Sequence, residues 1–218
     1  MLRVVEIFRT LQGEGSLSGS PAVFLRLAGC NLWSGHEEHR ARGRGGCAAW
    51  CDTSFVLGSS MEPEDVAAEV LRQAEGMRSP LVVLTGGEPT LQLRTEVGVA
   101  LLQLLHGSGL RLALETNGTV ELPEAARRTL HHVTVSPKPL RDQPGIDHVL
   151  VRRGTDLKVV VPTPFTDDEL LELAVGFQHH FVQPMDVGGA MQLSAATDMA
   201  DRLGWRVSAQ VHKLLGLP

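Results

Sequence analysis

One alternation recurs through the 218 residues of this chain and limits what it can become. Short apolar runs at 22–28, 81–84, 110–114, 133–135 and 157–161 predict strands, with shorter or less regular apolar stretches at 4–8, 181–182 and 205–211 adding one or two more, and most are separated by segments with helical spacing. Helices are predicted over 63–74, about 92–106, 123–130, 166–177 and about 193–203. In the first, Pro63 suits the opening turn, Ser60 is placed to cap it, and Val66, Val70, Leu71 and Ala74 share a face. Short apolar strands alternating with helices imply a parallel sheet with helices packed outside it. Six or seven such strands are too few to close an eight-stranded barrel. The expected fold is therefore α/β, an incomplete, open (β/α) barrel of about six parallel strands, with residues 1–218 as a single domain.

The strand ends carry a second regularity. Cys30, Thr85-Gly86-Gly87-Glu88-Pro89, Glu115 with Asn117, Ser136-Pro137-Lys138, Gln183-Pro184-Met185-Asp186 and His212 each follow an apolar run. In a parallel barrel these carboxyl ends converge on one face, where active sites are built. Any strand must leave into a polar loop, but that need does not call for so many glycines, prolines and functional side chains. Arg26, inside the run 22–28, needs an anionic partner, and a nearby carboxylate would suffice.

Composition narrows the function classes. Hydrophobic residues are 43% and charged residues 21%, as in soluble globular proteins. A net charge of −5 gives no basic footprint for nucleic acid, and no apolar run is long enough to span a membrane. The N-terminus lacks the pattern of a signal peptide, so a cytoplasmic location is expected. Thiols stay reduced there, and the odd cysteine count also argues against a disulfide framework.

All three cysteines, Cys30, Cys47 and Cys51, fall in one glycine- and arginine-rich loop. A structural zinc site wants four ligands, which His36 and His39 could complete. The Cys47-x3-Cys51 gap differs from the Cys-x2-Cys knuckle of zinc loops. Alternatively, three cysteines on a four-iron cluster leave one iron open to a small molecule.

A Cys-rich loop followed by Thr85-Gly86-Gly87-Glu88-Pro89 resembles the radical S-adenosylmethionine superfamily. The spacing departs from the superfamily's Cys-x3-Cys-x2-Cys, with sixteen residues before Cys47 and three before Cys51, while Trp50 keeps the aromatic position. Further stretches follow in order: Leu11-Gln12-Gly13-Glu14-Gly15, Arg26 to Trp33, Trp50 to Thr53, Glu115 to Gly118, Ser136 to Lys138, Gln183 to Asp186 and Gln210 to Lys213. Together they resemble the 7-carboxy-7-deazaguanine synthase family, in its branch with an expanded cysteine loop.

That resemblance implies an enzyme, a carbon–nitrogen lyase of 7-deazapurine and queuosine biosynthesis. It would convert 6-carboxy-5,6,7,8-tetrahydropterin to 7-carboxy-7-deazaguanine with loss of ammonia. It implies a 4Fe-4S cluster on Cys30, Cys47 and Cys51, S-adenosyl-L-methionine on the open iron, and Mg2+ at Thr53. Trp50, Asp52, Gly86, Gly87, Glu88, Glu115, Asn117, Ser136, Pro137, Lys138, Gln183, Pro184, Met185 and Asp186 match positions around S-adenosylmethionine. Leu11, Gln12, Gly13, Glu14, Arg26, Thr85, His212 and Pro218 match positions around the pterin, with Arg26 facing the substrate carboxylate. Homodimers are common in the family. His36, His39, Arg40, Arg42 and Arg44 match no role; they suit a solvated face or the docking of an acidic flavodoxin-like reductant. A glycyl-radical activating enzyme of the same superfamily and a non-catalytic zinc-binding module are the alternatives.

Overall fold

A computed structural model describes residues 1–187 and 190–217. Its strands are β1 (Leu2–Leu11), β2 (Pro21–Leu27), β3 (Ser59–Met61), β4 (Leu81–Gly86), β5 (Arg111–Thr116), β6 (His132–Val135), β7 (Gly154–Val161), β8 (Phe177–Pro184), β9 (Asp186–Val187), β10 (Ala190–Met191) and β11 (Arg206–Val207). Its helices are α1 (Pro63–Gln73), α2 (Thr90–Leu93), α3 (Glu96–Gly107), α4 (Glu124–Arg127), α5 (Asp167–Ala174), α6 (Leu193–Leu203) and α7 (Val211–Leu214).

Nine strands form one open sheet in the order β11-β8-β7-β6-β5-β4-β2-β1-β3. From β2 to β11 neighbouring strands run parallel. The expected open α/β arrangement is present, and the sheet does not close into a barrel.

The first strand departs from the expected pattern. The run at 4–8 extends to Leu2–Leu11 and pairs antiparallel with β2 and β3. Its connection to β2 is too short for a parallel crossover, which needs a dozen residues or more. Gln12 N–H donates to Ser20 O at 2.9 Å and Gly19 N–H to Gln12 O at 2.7 Å, closing the turn. Ser60 lies in β3 and caps nothing; Glu62 precedes α1 without a side-chain cap bond. The helix expected over 92–106 is broken at Thr95, whose Oγ1 accepts from Gly98 N–H at 3.1 Å and starts α3 afresh. The run at 205–211 gives only the two-residue β11 before α7 begins.

Strand periodicity divides the sheet into two faces. Leu25, Leu27, Val82, Leu84, Leu112 and Leu114 pack under α1 and α3 with Val66, Val70, Leu101 and Leu105. Leu157, Val159, Val161 and Val182 pack under α5 and α6 with Leu170, Leu173, Ala196 and Met199. The intervening residues, including Arg26, Thr85, Glu115, Lys158 and Gln183, turn to the opposite face and line a cavity. Among the described residues, no helix is long and apolar enough to cross a membrane.

Candidate active site

Cys30 follows β2, and the chain then makes a wide loop before β3. Two hydrogen bonds pin its far end: Gly45 N–H to Leu32 O at 3.0 Å and Gly46 N–H to Pro139 O at 2.7 Å. A short turn, Gly46–Ala49, then carries Cys47. Trp50 N–H and Cys51 N–H both donate to Cys47 O, at 3.0 and 2.8 Å. The longer Cys47–Cys51 gap is thus absorbed in one tight turn.

All three thiols are free and line the same cavity of about 490 Å3. Burial pushes the Cys30 thiol up, and pushes Cys47 up to about 11 although Lys138 pulls it down. Glu88 and Cys51 raise Cys30 further, and Cys30 and Cys51 raise Cys47. Such thiols lose their protons to a metal. His36 and His39 do not line the cavity; His39 Nδ1 meets Ser34 Oγ at 2.9 Å, and the two rings lie 5.8 Å apart. Among the described residues, no three His, Cys, Asp or Glu side chains enclose a single metal ion. Three thiols around one cavity, without the histidines, fit a multi-iron cluster better than one zinc ion.

Beside Cys30 runs the Gly86-Gly87 stretch. Gly86 has φ +145°, and a Cβ there would collide with the Leu27 carbonyl. A Cβ on Gly87 would collide with the Gly29 carbonyl and stand 2.8 Å from Cys30 Cβ. These glycines therefore press β4 against the cysteine loop while their outer surfaces line the cavity.

Glu88 follows this stretch. It is buried and absent from the cavity wall. Its carboxylate accepts from Thr90 N–H (3.1 Å), Thr90 Oγ1 (2.7 Å), Thr116 Oγ1 (2.7 Å) and Asn117 N–H (2.7 Å). Burial pushes its carboxyl up, against the pull of those donors. Glu88 fastens the end of β4 to the end of β5.

The polar wall is built around Lys158, which pairs with Glu14 and, at 3.0 Å, with Glu115. Burial opposes the lysine's charge, but the two carboxylates outweigh it and hold its pKa above the usual range. Burial would raise Glu14, yet Lys158, Gln210 and His212 hold it at about 2. Gln12 donates to Glu115 Oε1 at 3.0 Å, and Gln183 and Gln210 donate to Glu14 Oε1 at 3.0 and 2.8 Å. Lys158 and Gln210 carry no assigned role in the sequence reading. The signal for Lys158 was a lysine inside an apolar strand. Deeper, Asp156 accepts from Ser16 N–H and Oγ at 2.8 Å and lies 3.3 Å from His132 Nε2, anchoring the turn after Glu14.

Arg26 lines the cavity but already has a protein partner, Glu6, at 2.6 Å. Leu11, Thr53, Thr85, Trp50 and Asp52 also line it, as do Asn117, Ser136, Lys138 and His212. Asn117 is itself tied to Asn31 at 3.1 Å. Lys138 donates to Ser136 Oγ and lies 5.6 Å from the centre of the Trp50 ring. Burial pushes the Lys138 ammonium down, while the cysteine charges and Glu14 push it up. Gly13 packs directly against the His212 ring; Pro137, Pro184, Met185 and Asp186 do not line the cavity. Burial lowers the His212 pKa despite Glu14. Lys213, unassigned in the sequence reading, joins Asp52 to Asp186. Pro218 lies outside the described residues.

The radical SAM superfamily sequence model matches residues 44–161. A 7-carboxy-7-deazaguanine synthase from Bordetella pertussis is 39% identical, over 99% of this chain and 98% of its own. One from Caulobacter vibrioides is 41% identical with the same coverage. The crystal structure of QueE from Escherichia coli superposes with a TM-score of 0.68 at 25% identity, covering 97% of this chain and 94% of that one. With one cavity joining the three cysteines to the polar wall, these full-length likenesses show that the chain belongs to the 7-carboxy-7-deazaguanine synthase family of radical SAM enzymes.

Proposed function

We propose that the chain converts 6-carboxy-5,6,7,8-tetrahydropterin to 7-carboxy-7-deazaguanine, releasing ammonia. The observation that carries this reading is the continuity of one cavity from Cys30, Cys47 and Cys51 to Gln12, Glu14, Arg26 and Glu115. Its relatives are named for that product.

The cluster and S-adenosyl-L-methionine, when bound, supply a radical able to take hydrogen from carbon. The chain's own residues hold and orient the reactants. Cys30, Cys47 and Cys51 would hold the cluster. Gly86, Gly87, Trp50, Asp52, Asn117, Ser136, Lys138 and Gln183 form the wall beside them, where S-adenosylmethionine lies in this reading. Glu14, kept ionised by Lys158, accepts hydrogen bonds from pterin N–H groups, and Glu115, on the other side of Lys158, faces S-adenosylmethionine in this reading. Arg26 meets the substrate carboxylate through a charge-assisted pair, with Glu6 holding its Nε at 2.6 Å. Thr53 lines the cavity and would offer its hydroxyl to Mg2+, which would neutralise negative charge on the substrate. Leu217 N–H donates to His212 O at 2.8 Å, and both residues line the cavity, so this segment can close over a bound substrate.

Exposed Arg42 and Arg44 suit an acidic flavodoxin-like reductant, and a cytoplasmic homodimer completes the reading by family resemblance. A cavity of about 490 Å3 lined by both carboxylates and basic side chains favours a small charged substrate over the protein substrate of a glycyl-radical activating enzyme. Anaerobic turnover with S-adenosylmethionine, reductant, Mg2+ and the carboxypterin tests the assignment. The expected products are 7-carboxy-7-deazaguanine and deoxyadenosine; deoxyadenosine alone would reject the named reaction.

A further inference from the structure

The wide cysteine loop closes around one side chain, Arg40. It stands in the short turn Glu37–Arg42. Its Nη1 donates to two backbone carbonyls, Ala48 O at 2.5 Å and Cys51 O at 3.3 Å. Its guanidinium lies 4.8 Å from the centre of the Trp33 ring, and Glu37 holds its Nε at 2.8 Å. Trp33, Ala48 and Phe55 form a small buried cluster, and Cys30 and Cys51 pack against it.

The tight turn from Cys47 to Cys51 explains why an arginine is useful here. Cys47 O serves two N–H groups, but the turn does not continue into a helix. The carbonyls of Ala48 and Cys51 then need donors from elsewhere, and a forked, always-charged guanidinium reaches both.

We infer that Arg40 is a positioning residue for the iron–sulfur cluster: it fixes the turn between Cys47 and Cys51 and sets a permanent positive charge beside the Cys51 ligand. A nearby cation favours the reduced, more negative cluster and so raises its reduction potential. The inference rests on the cluster reading of the three cysteines and deepens it.

Two variants separate charge from geometry in the reconstituted enzyme. R40Q keeps a donor and loses the charge; R40K keeps the charge and loses the fork. The readouts are iron per chain, the EPR line shape of the reduced cluster and its midpoint potential. The expected result is that R40Q has a more negative potential and an altered line shape. Its kcat falls about ten-fold while KM for the carboxypterin stays within about two-fold. R40K restores the potential but not the line shape. An R40Q protein with the parental potential and line shape overturns the inference. If R40Q cannot hold iron, R40K decides: a parental potential supports the inference, and a potential shifted negative, or no cluster, overturns it. A parent chain that takes up no cluster overturns this inference and the cluster reading together. A parent with a normal cluster but no 7-carboxy-7-deazaguanine overturns only the named reaction.

Discussion

The Lys213 ammonium donates to the Asp52 carboxylate at 2.6 Å, tying the last helix to the residue after Cys51. It also reaches Asp186 at 3.0 Å, beyond β8, so α7 is held to both rims of the cavity. Asp52 is largely exposed, so the pair adds little to global stability, at most about 1 kcal/mol. Its effect is local. In K213A, amides at 211–217 should exchange hydrogen about five-fold faster, with a nearly unchanged melting temperature. Unchanged exchange in that segment would show that Lys213 does not secure it.

Lys158 offers a sharper stability test. Replacing it with Met leaves Glu14 and Glu115 facing each other in a buried site without their cation. Breaking such a pair from one side costs about 3–5 kcal/mol. Urea unfolding at pH 7 should show this loss, and adding E14Q to K158M should recover part of it. A K158M chain as stable as the parent would remove Lys158 from the centre of the polar wall.

Acid should weaken the same wall. Glu14 has a folded pKa of about 2 against an ordinary 4.5, so the unfolded chain binds its proton first as pH falls. Its contribution is complete above pH 4.5 and disappears as pH drops toward 2. The full effect is on the order of 3 kcal/mol. Stability measured from pH 6 to 3 should therefore fall less steeply in E14Q than in the parent.

Glu88 should fail its conservative substitution. Every neighbour that its carboxylate meets is a donor, so a Gln amide nitrogen would face a donor in a buried site. E88Q should lose about 1–3 kcal/mol. Both cofactor and substrate affinities should drop together, because the ends of β4 and β5 loosen as a unit. A selective loss of S-adenosylmethionine affinity, with unchanged stability, would restore the direct role expected from sequence.

Arg26 should discriminate between the two ligands. R26A should raise KM for the carboxypterin about 10–100-fold, the worth of one charge-assisted hydrogen-bonding group. Affinity for S-adenosylmethionine should stay within about two-fold, and isothermal titration checks both. Equal losses would place Arg26 outside the carboxylate site. E6Q should reproduce a smaller part of the substrate effect, since it frees the guanidinium without removing it.

Much of the site was legible because parallel strands deliver their carboxyl ends to one place. Cys30, Gly86, Glu115, Ser136 and Gln183 come together for that reason alone. What sequence could not show is which way each side chain turns once there. Glu88 looks like a loop carboxylate until four donors surround it. Lys158 looks like an interruption in an apolar strand until the alternation of β7 sends Val159 to the core and Lys158 to the cavity. Arg26 was read with two possible partners. Glu6 supplies one through the antiparallel pairing of β1, which the strand–helix rhythm did not predict. The break at Thr95 escaped notice because apolar spacing continues through it, while the cap depends on one hydroxyl.

The contact of Gly87 with Cys30 has a consequence for how such an enzyme can change. The backbone next to S-adenosylmethionine in this reading and the backbone that carries an iron ligand are in van der Waals contact, with no side chain between them. No interposed residue can be enlarged or trimmed to adjust one against the other. Variation that adjusts this particular contact must therefore act through neighbouring residues such as Arg40, because the contact itself has no side chain to change.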